Sequence, residues 1–134
     1  MPVVEVKKKI LMYRGKTLEE LQTLNVREFA KLVRSRNRRN ILRNFQRVED
    51  FVNRAKVKVS KNKPVKTHRR DLIVVPQMVG MKIFVYNGRN FVPFEVTIET
   101  LGHKFGEFAP TRGRIKHTKM GVGATKGTKH KSKK

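Results

Sequence analysis

Residues 71 to 108 contain three basic side chains, Lys82, Arg89 and Lys104, against four acidic ones, Asp71, Glu95, Glu99 and Glu107. The flanks are lopsided: residues 1 to 70 carry 21 Lys or Arg against 6 Asp or Glu, and residues 112 to 134 carry nine basic residues and no acid. Like charges cannot share an apolar interior. The compact part of the fold therefore has to include the neutral stretch, with the basic arms laid around it. A uniformly solvated surface would spread its charge instead.

The formal net charge, +23 on 134 residues, exceeds anything solubility requires and needs a polyanion to offset it. The length suits one domain with extensions. Cysteine is absent, which excludes disulfide frameworks and thiolate metal sites and makes the cytosol the default compartment. The start, "MPVVEVKKKILMYRG", has no apolar region of signal-peptide length, and "LIVV" is far too short to span a bilayer. Neither secretion nor membrane insertion is expected.

The first half reads as helical. "TLEE" offers Thr17 as a helix cap with Glu20 three residues on, and "NVRE" repeats the device with Asn25 and Glu28. Val26, Phe29, Ala30 and Val33 then fall on one helical face. From about Arg36 to Ala55, Ile41, Phe45, Val48, Val52 and Ala55 share a face, and Arg36, Arg39, Arg43, Arg47 and Arg54 share the opposite one. That arginine stripe lacks the i,i+4 partners of a solvated helix, which points to phosphate contact. Residues 56 to 67, "KVKVSKNKPVKT", alternate valine and lysine before Pro64 and predict an extended connector or a short strand.

The centre predicts a small sheet with a helix. "DLIVVP" is a buried strand candidate, and Asn87-Gly88 lies between two β-rich runs as a hairpin turn whose two positions want positive φ. Val92, Phe94, Val96 and Ile98 alternate on one face, and Pro93 belongs on an outer edge or at a bulge. Beyond Thr97 the period becomes helical through Ile98, Leu101, Phe105 and Phe108, with Gly102 and Gly106 placed for close approach of backbone to the sheet or to a ligand.

No catalytic or metal constellation emerges. His68, His103, His117 and His130 are scattered, no zinc spacing exists, and no Gly-rich loop leads into Lys-Ser or Lys-Thr. His103, beside Lys104, reads as a hydrogen-bonding or stacking contact. "KTHRRD" and "PTRGRIKHTK" are basic runs at the borders of the centre. No recognition helix for a major groove and no aromatic pair on a strand is apparent, so the pattern favours a folded body whose arms thread between RNA helices. A general nucleic-acid binder and a basic RNA-processing enzyme are the other classes such a charge allows.

"NGRNFVPFEVTIETLGHKFGEFAPT", Asn87 to Thr111, resembles the signature of the small-subunit ribosomal protein family numbered nineteen, fifteen in the eukaryotic cytosol. "KTHRRDLIVVPQMVG" is similar to that family's preceding segment. "YRG" at Tyr13 to Gly15, "RSRNRRNILRNF" and "KHTKMGVGAT" resemble its longer archaeal and eukaryotic form. The resemblance implies a non-enzymatic constituent of the small subunit, without cofactor or metal. It implies binding to the 3′ major domain of small-subunit ribosomal RNA beside the protein numbered thirteen, and a C-terminal tail directed toward the tRNA sites. It further implies an α+β fold: a small three-stranded, mainly antiparallel sheet with a packed helix (66–111), preceded by a basic helical extension (1–65) and followed by a basic flexible tail (112–134). RNA contacts carried over by resemblance are Lys66, His68, Arg69, Arg70, Arg89, His103, Lys104, Thr111, Arg112, Arg114, Lys116, His117 and Lys119. The stripe of Arg36, Arg39, Arg43 and Arg47 is inferred from helical geometry and leaves RNA or a neighbouring protein open as its partner.

Overall fold

The computed structural model describes residues 11–113 and Gly121. Within them the chain forms helices α1 (Leu18–Thr23), α2 (Val26–Leu32), α3 (Ser35–Arg43) and α4 (Phe45–Ser60), then strands β1 (Val65–Thr67), β2 (Lys82–Tyr86) and β3 (Phe91–Glu95). Short 3-10 turns occupy Pro76–Met78, Ile98–Thr100 and Phe105–Phe108. The fold is α+β, as expected.

Both acidic caps form. Glu20 Oε2 accepts from the Thr17 N–H at 3.1 Å and Glu28 Oε2 from the Asn25 N–H at 3.0 Å. Helices this short are marginal alone, and α1 and α2 persist because Leu21, Val26, Phe29, Ala30 and the adjoining Val33 are buried. The long helical pattern that follows is two helices rather than one. Asn44 leaves helical geometry at φ −115°, ψ 22°, and its Nδ2 donates to the Asn40 carbonyl and side chain. An Asn side chain that bonds nearby backbone in this way competes with helix continuation.

α4 then runs through residues 56–60, where alternation suggested an extended segment. Val57 and Val59 find no sheet partner and stay exposed, so helix propagation, one bond per added residue, prevails. The stop is well defined. Lys63 N–H bonds Lys58 O at 2.9 Å, Asn62 N–H bonds Val59 O at 2.9 Å, and Asn62 takes the left-handed conformation at φ 51°. This is a Schellman end, followed by a proline that cannot continue a helix. The short strand expected near this point is β1.

The sheet order is β1-β2-β3. β1 joins β2 in parallel, Val65 opposite Ile83 and Thr67 opposite Val85, while β2 and β3 form the antiparallel hairpin, Lys82 opposite Glu95 through Tyr86 opposite Phe91. The sheet is thus mixed, with the antiparallel pair the longer. Pro93 lies on the outer strand β3, where a missing N–H is tolerated. The hairpin is not the two-residue turn predicted. Residues 87–90 form the loop, Gly88 alone in it has positive φ, and Asn87 Oδ1 accepts from Arg89 N–H at 2.9 Å and Asn90 N–H at 2.7 Å. An Asx turn replaces the second left-handed residue.

Two expectations for the centre are corrected. Leu72 to Val75 are buried, but they form no strand of the sheet. Their backbone instead meets the segment after β3: Val74 N–H donates to His103 O, Gly102 N–H to Val74 O and Phe105 N–H to Leu72 O, all between 2.9 and 3.0 Å. For the same reason residues 98–108 are two 3-10 turns and not a helix. Gly102 sits between them at φ +76°, and a Cβ there would lie 2.8 Å from the Tyr13 hydroxyl. The helix packed beside the sheet is α4, whose Phe51 ring meets Phe105 with centroids 5.3 Å apart. Buried residues from Leu21 to Ala109 make one core.

Candidate nucleic-acid interface

α3 is tied to the core by its asparagines. Asn37 Nδ2 donates to Gly102 O at 2.7 Å and Asn40 Nδ2 to Asp71 O at 3.4 Å. On the same helix Arg36, Arg39 and Arg43, at helical spacing, line a groove of about 170 Å³ with Lys104 across from them and Asp71 at its edge. All three arginines are exposed, and among the described residues the one ion pair is His103 with Glu107, so none of the three is neutralised by a carboxylate. Aligned, unpaired guanidinia on a fixed helix are suited to successive phosphates. Arg47, past the break at Asn44, is exposed but does not line this groove.

Arg54 leaves the stripe altogether. With Lys58, Lys66 and Arg69 it rims a second depression of about 100 Å³, floored by Phe51, Ala55, Val65 and Thr67 where α4 meets β1. Lys58 was missed by the sequence reading, although it stands one helical turn from Arg54. Arg69 is directed by its neighbour, since its backbone N–H donates to Thr67 Oγ1 at 3.1 Å. Arg70 behaves differently. Its guanidinium turns inward and donates to the carbonyls of Tyr86 (2.8 Å), Gly106 (2.9 Å) and Ala109 (2.6 Å). The structure gives it a structural role where resemblance implied RNA contact.

His68, which follows β1, and Arg89, in the hairpin loop, both lie at the end of the sheet where β2 turns into β3. His68 is exposed and rests against Tyr86 and Phe91, with ring centroids 4.7 and 5.1 Å away, while Arg89 is exposed in the hairpin loop. Tyr86 and Phe91 face each other across β2 and β3 at 5.1 Å. The sequence reading found no aromatic pair on a strand; the pair exists, and the register that makes it depends on the four-residue loop. His103 is exposed and its Nδ1 lies 2.7 Å from Glu107 Oε2, which holds the imidazole at one side of the loop carrying Lys104. Thr111 and Arg112 are exposed. Arg114, Lys116, His117 and Lys119, and all of the tail beyond Met120 except Gly121, lie outside the described residues.

Among the described residues no three His, Asp or Glu side chains converge to hold a metal ion, and no helix is long and apolar enough to cross a membrane. What the described surface offers is one basic depression between α3 and Lys104, another where α4 meets β1, and one aromatic sheet face. In comparison with protein families, the model described as Ribosomal protein S19 matches residues 34–117, more than half of the chain. The matched span begins just before α3 and includes both basic depressions and the whole sheet.

Proposed function

Because the chain belongs to the ribosomal protein S19 family, whose members are structural small-subunit proteins that bind ribosomal RNA, we propose that it binds the head of that RNA, its 3′ major domain. The observation that supports this most directly is the groove of Arg36, Arg39, Arg43 and Lys104, where helix and loop converge as unpaired cations on a frame fixed by Asn37 and Asn40. A flexible basic surface would bind any polyanion; cations held at fixed separations by a shared core select RNA by shape.

In this reading the role is structural and not catalytic. His68 packs against two rings and His103 is held by Glu107, which suits positioning better than proton transfer. The protein works in the cytoplasm, next to the head protein numbered thirteen, and its tail from Met120 reaches toward the tRNA sites. The organisation proposed with it is a basic helical region over 1–65, an RNA-binding centre over 66–111 and a basic tail over 112–134.

The test is affinity for the 3′ major domain of small-subunit ribosomal RNA against an unrelated RNA of equal length, titrated across salt. We expect a preference of about a hundredfold or more that survives at high salt, because shape selection adds to counterion release. Equal affinities that collapse together as salt rises would overturn it.

A further inference from the structure

The face of the sheet turned away from the core is aromatic where alternation would leave it polar. In β2, Ile83 and Val85 are buried and the intervening Phe84 and Tyr86 point outward; in β3, Val92 and Phe94 pack on the core and Phe91 stands opposite Tyr86. A sheet with one packed face normally presents polar side chains on the other. Phe84, Tyr86 and Phe91 are half-buried, and none packs against the core cluster, so they are not an extension of the interior. An apolar patch of this kind marks a contact surface.

Its surroundings say what it contacts. His68 packs against both Tyr86 and Phe91, tilted by 52° to the first ring and edge-on at 76° to the second, and Lys66 Nζ is 5.3 Å from the centre of the Phe91 ring. Arg69 follows His68, and Arg89 sits in the loop joining the two strands; both are exposed. Among the described residues the acid on this face is Glu95, opposite Lys82 at the far end of β3 and about 13 Å along the strand from Phe91. Half-exposed rings within a border of cations match a nucleotide, which has a flat π face and a phosphate on each side. A protein partner would use the apolar area but gives no reason for the cations.

We propose that His68, Tyr86 and Phe91 form a stacking platform for an unpaired RNA base, with Lys66, Arg69 and Arg89 taking the flanking phosphates. The proposal rests on the RNA-binding role argued above and adds the kind of nucleotide this face accepts. A base inside a duplex is stacked on both faces, so only a loop, bulge or strand end can fit.

The full chain is tested against two probes, the 3′ major domain RNA and a short oligouridylate without secondary structure. Tyr86→Leu with Phe91→Leu keeps apolar bulk and removes the π faces. We expect both probes to bind this variant about ten- to a hundredfold more weakly, with an unchanged salt slope. Lys66→Gln with Arg69→Gln should instead flatten the slope. His68→Ala, at an exposed ring, gives a second variant that leaves the fold untouched and should lose about fivefold or more. Tyr13→Phe makes Tyr86 the single tyrosine of a chain without tryptophan, and oligouridylate should quench its emission. Wild-type affinity in both the leucine and His68 variants, with unquenched Tyr86, would overturn the platform. So would a small-subunit protein that binds wild type and loses the leucine variant while RNA binding stays intact. If the wild-type chain fails to prefer the 3′ major domain, the functional reading fails on its own, and the oligouridylate results still decide the platform.

Discussion

Arg69 and Arg70 are adjacent, identical and differently used. Arg69 is exposed at the rim of the α4–β1 depression, while Arg70 donates to three carbonyls from two separate stretches of chain. Replacing Arg70 by Gln strands those carbonyls in a half-buried setting and should cost about 2–4 kcal/mol, since charge-assisted hydrogen bonds and unsatisfied groups are each worth a few kcal/mol. Replacing Arg69 by Gln should leave stability alone and reduce the salt slope of RNA binding by about one contact's worth. Thermal unfolding and salt titration on the two variants separate the roles; loss of stability in the Arg69 variant alone would reverse the assignment. The pair also shows where sequence stops being informative. "HRRD" identifies a basic run, but the partners of Arg70 lie 16, 36 and 39 residues away. No local pattern reports such distances.

Among the elements, the helix starts set by a carboxylate three residues on were legible, and those governed by distant backbone were not. The caps of α1 and α2 depend on Glu20 and Glu28, three residues from the groups they bind, and both starts were placed correctly. The apolar run at Leu72 to Val75 and the helical period from Ile98 each looked like a regular element. They instead satisfy each other's hydrogen bonds, Val74 with Gly102 and His103, Leu72 with Phe105. β1 is three residues long and pairs in parallel with a strand that begins at Lys82, so a short strand before His68 was legible but its partner was not. The end of α4 supplies a prediction at this scale. Asn62 holds φ 51°, a conformation Asn tolerates and a β-branched side chain resists. Asn62→Val should destabilise the chain by about 1–2 kcal/mol, measured by denaturant unfolding, with Asn62→Gly nearly neutral. An equally stable valine variant would mean the Schellman end contributes nothing.

For the described part of the molecule, the basic first half is no separate arm, since its helices share one core with the neutral centre, and its arginines are divided by folding. One arginine stripe becomes two depressions: Arg36, Arg39 and Arg43 face Lys104, and Arg54 joins Lys58, Lys66 and Arg69. Helical periodicity found the arginines, and the break at Asn44 redistributed them. If the first group binds phosphates, Arg36→Gln, Arg39→Gln and Arg43→Gln together should lower the slope of log K against log salt by about 2–3, at roughly 0.7–0.9 per phosphate, with thermal stability retained because all three are exposed. An unchanged slope would assign this groove to a protein. The sheet, too, has a property that matters before any partner is met. β3 is an outer strand, and an outer strand is a template on which a second chain can add itself. Pro93 interrupts that template midway, because a residue without an N–H cannot serve an incoming strand. The other border, β1, offers only three residues beside α4. A newly made copy waiting for its RNA therefore presents little edge for aggregation, so that its unassembled pool can stay available for assembly.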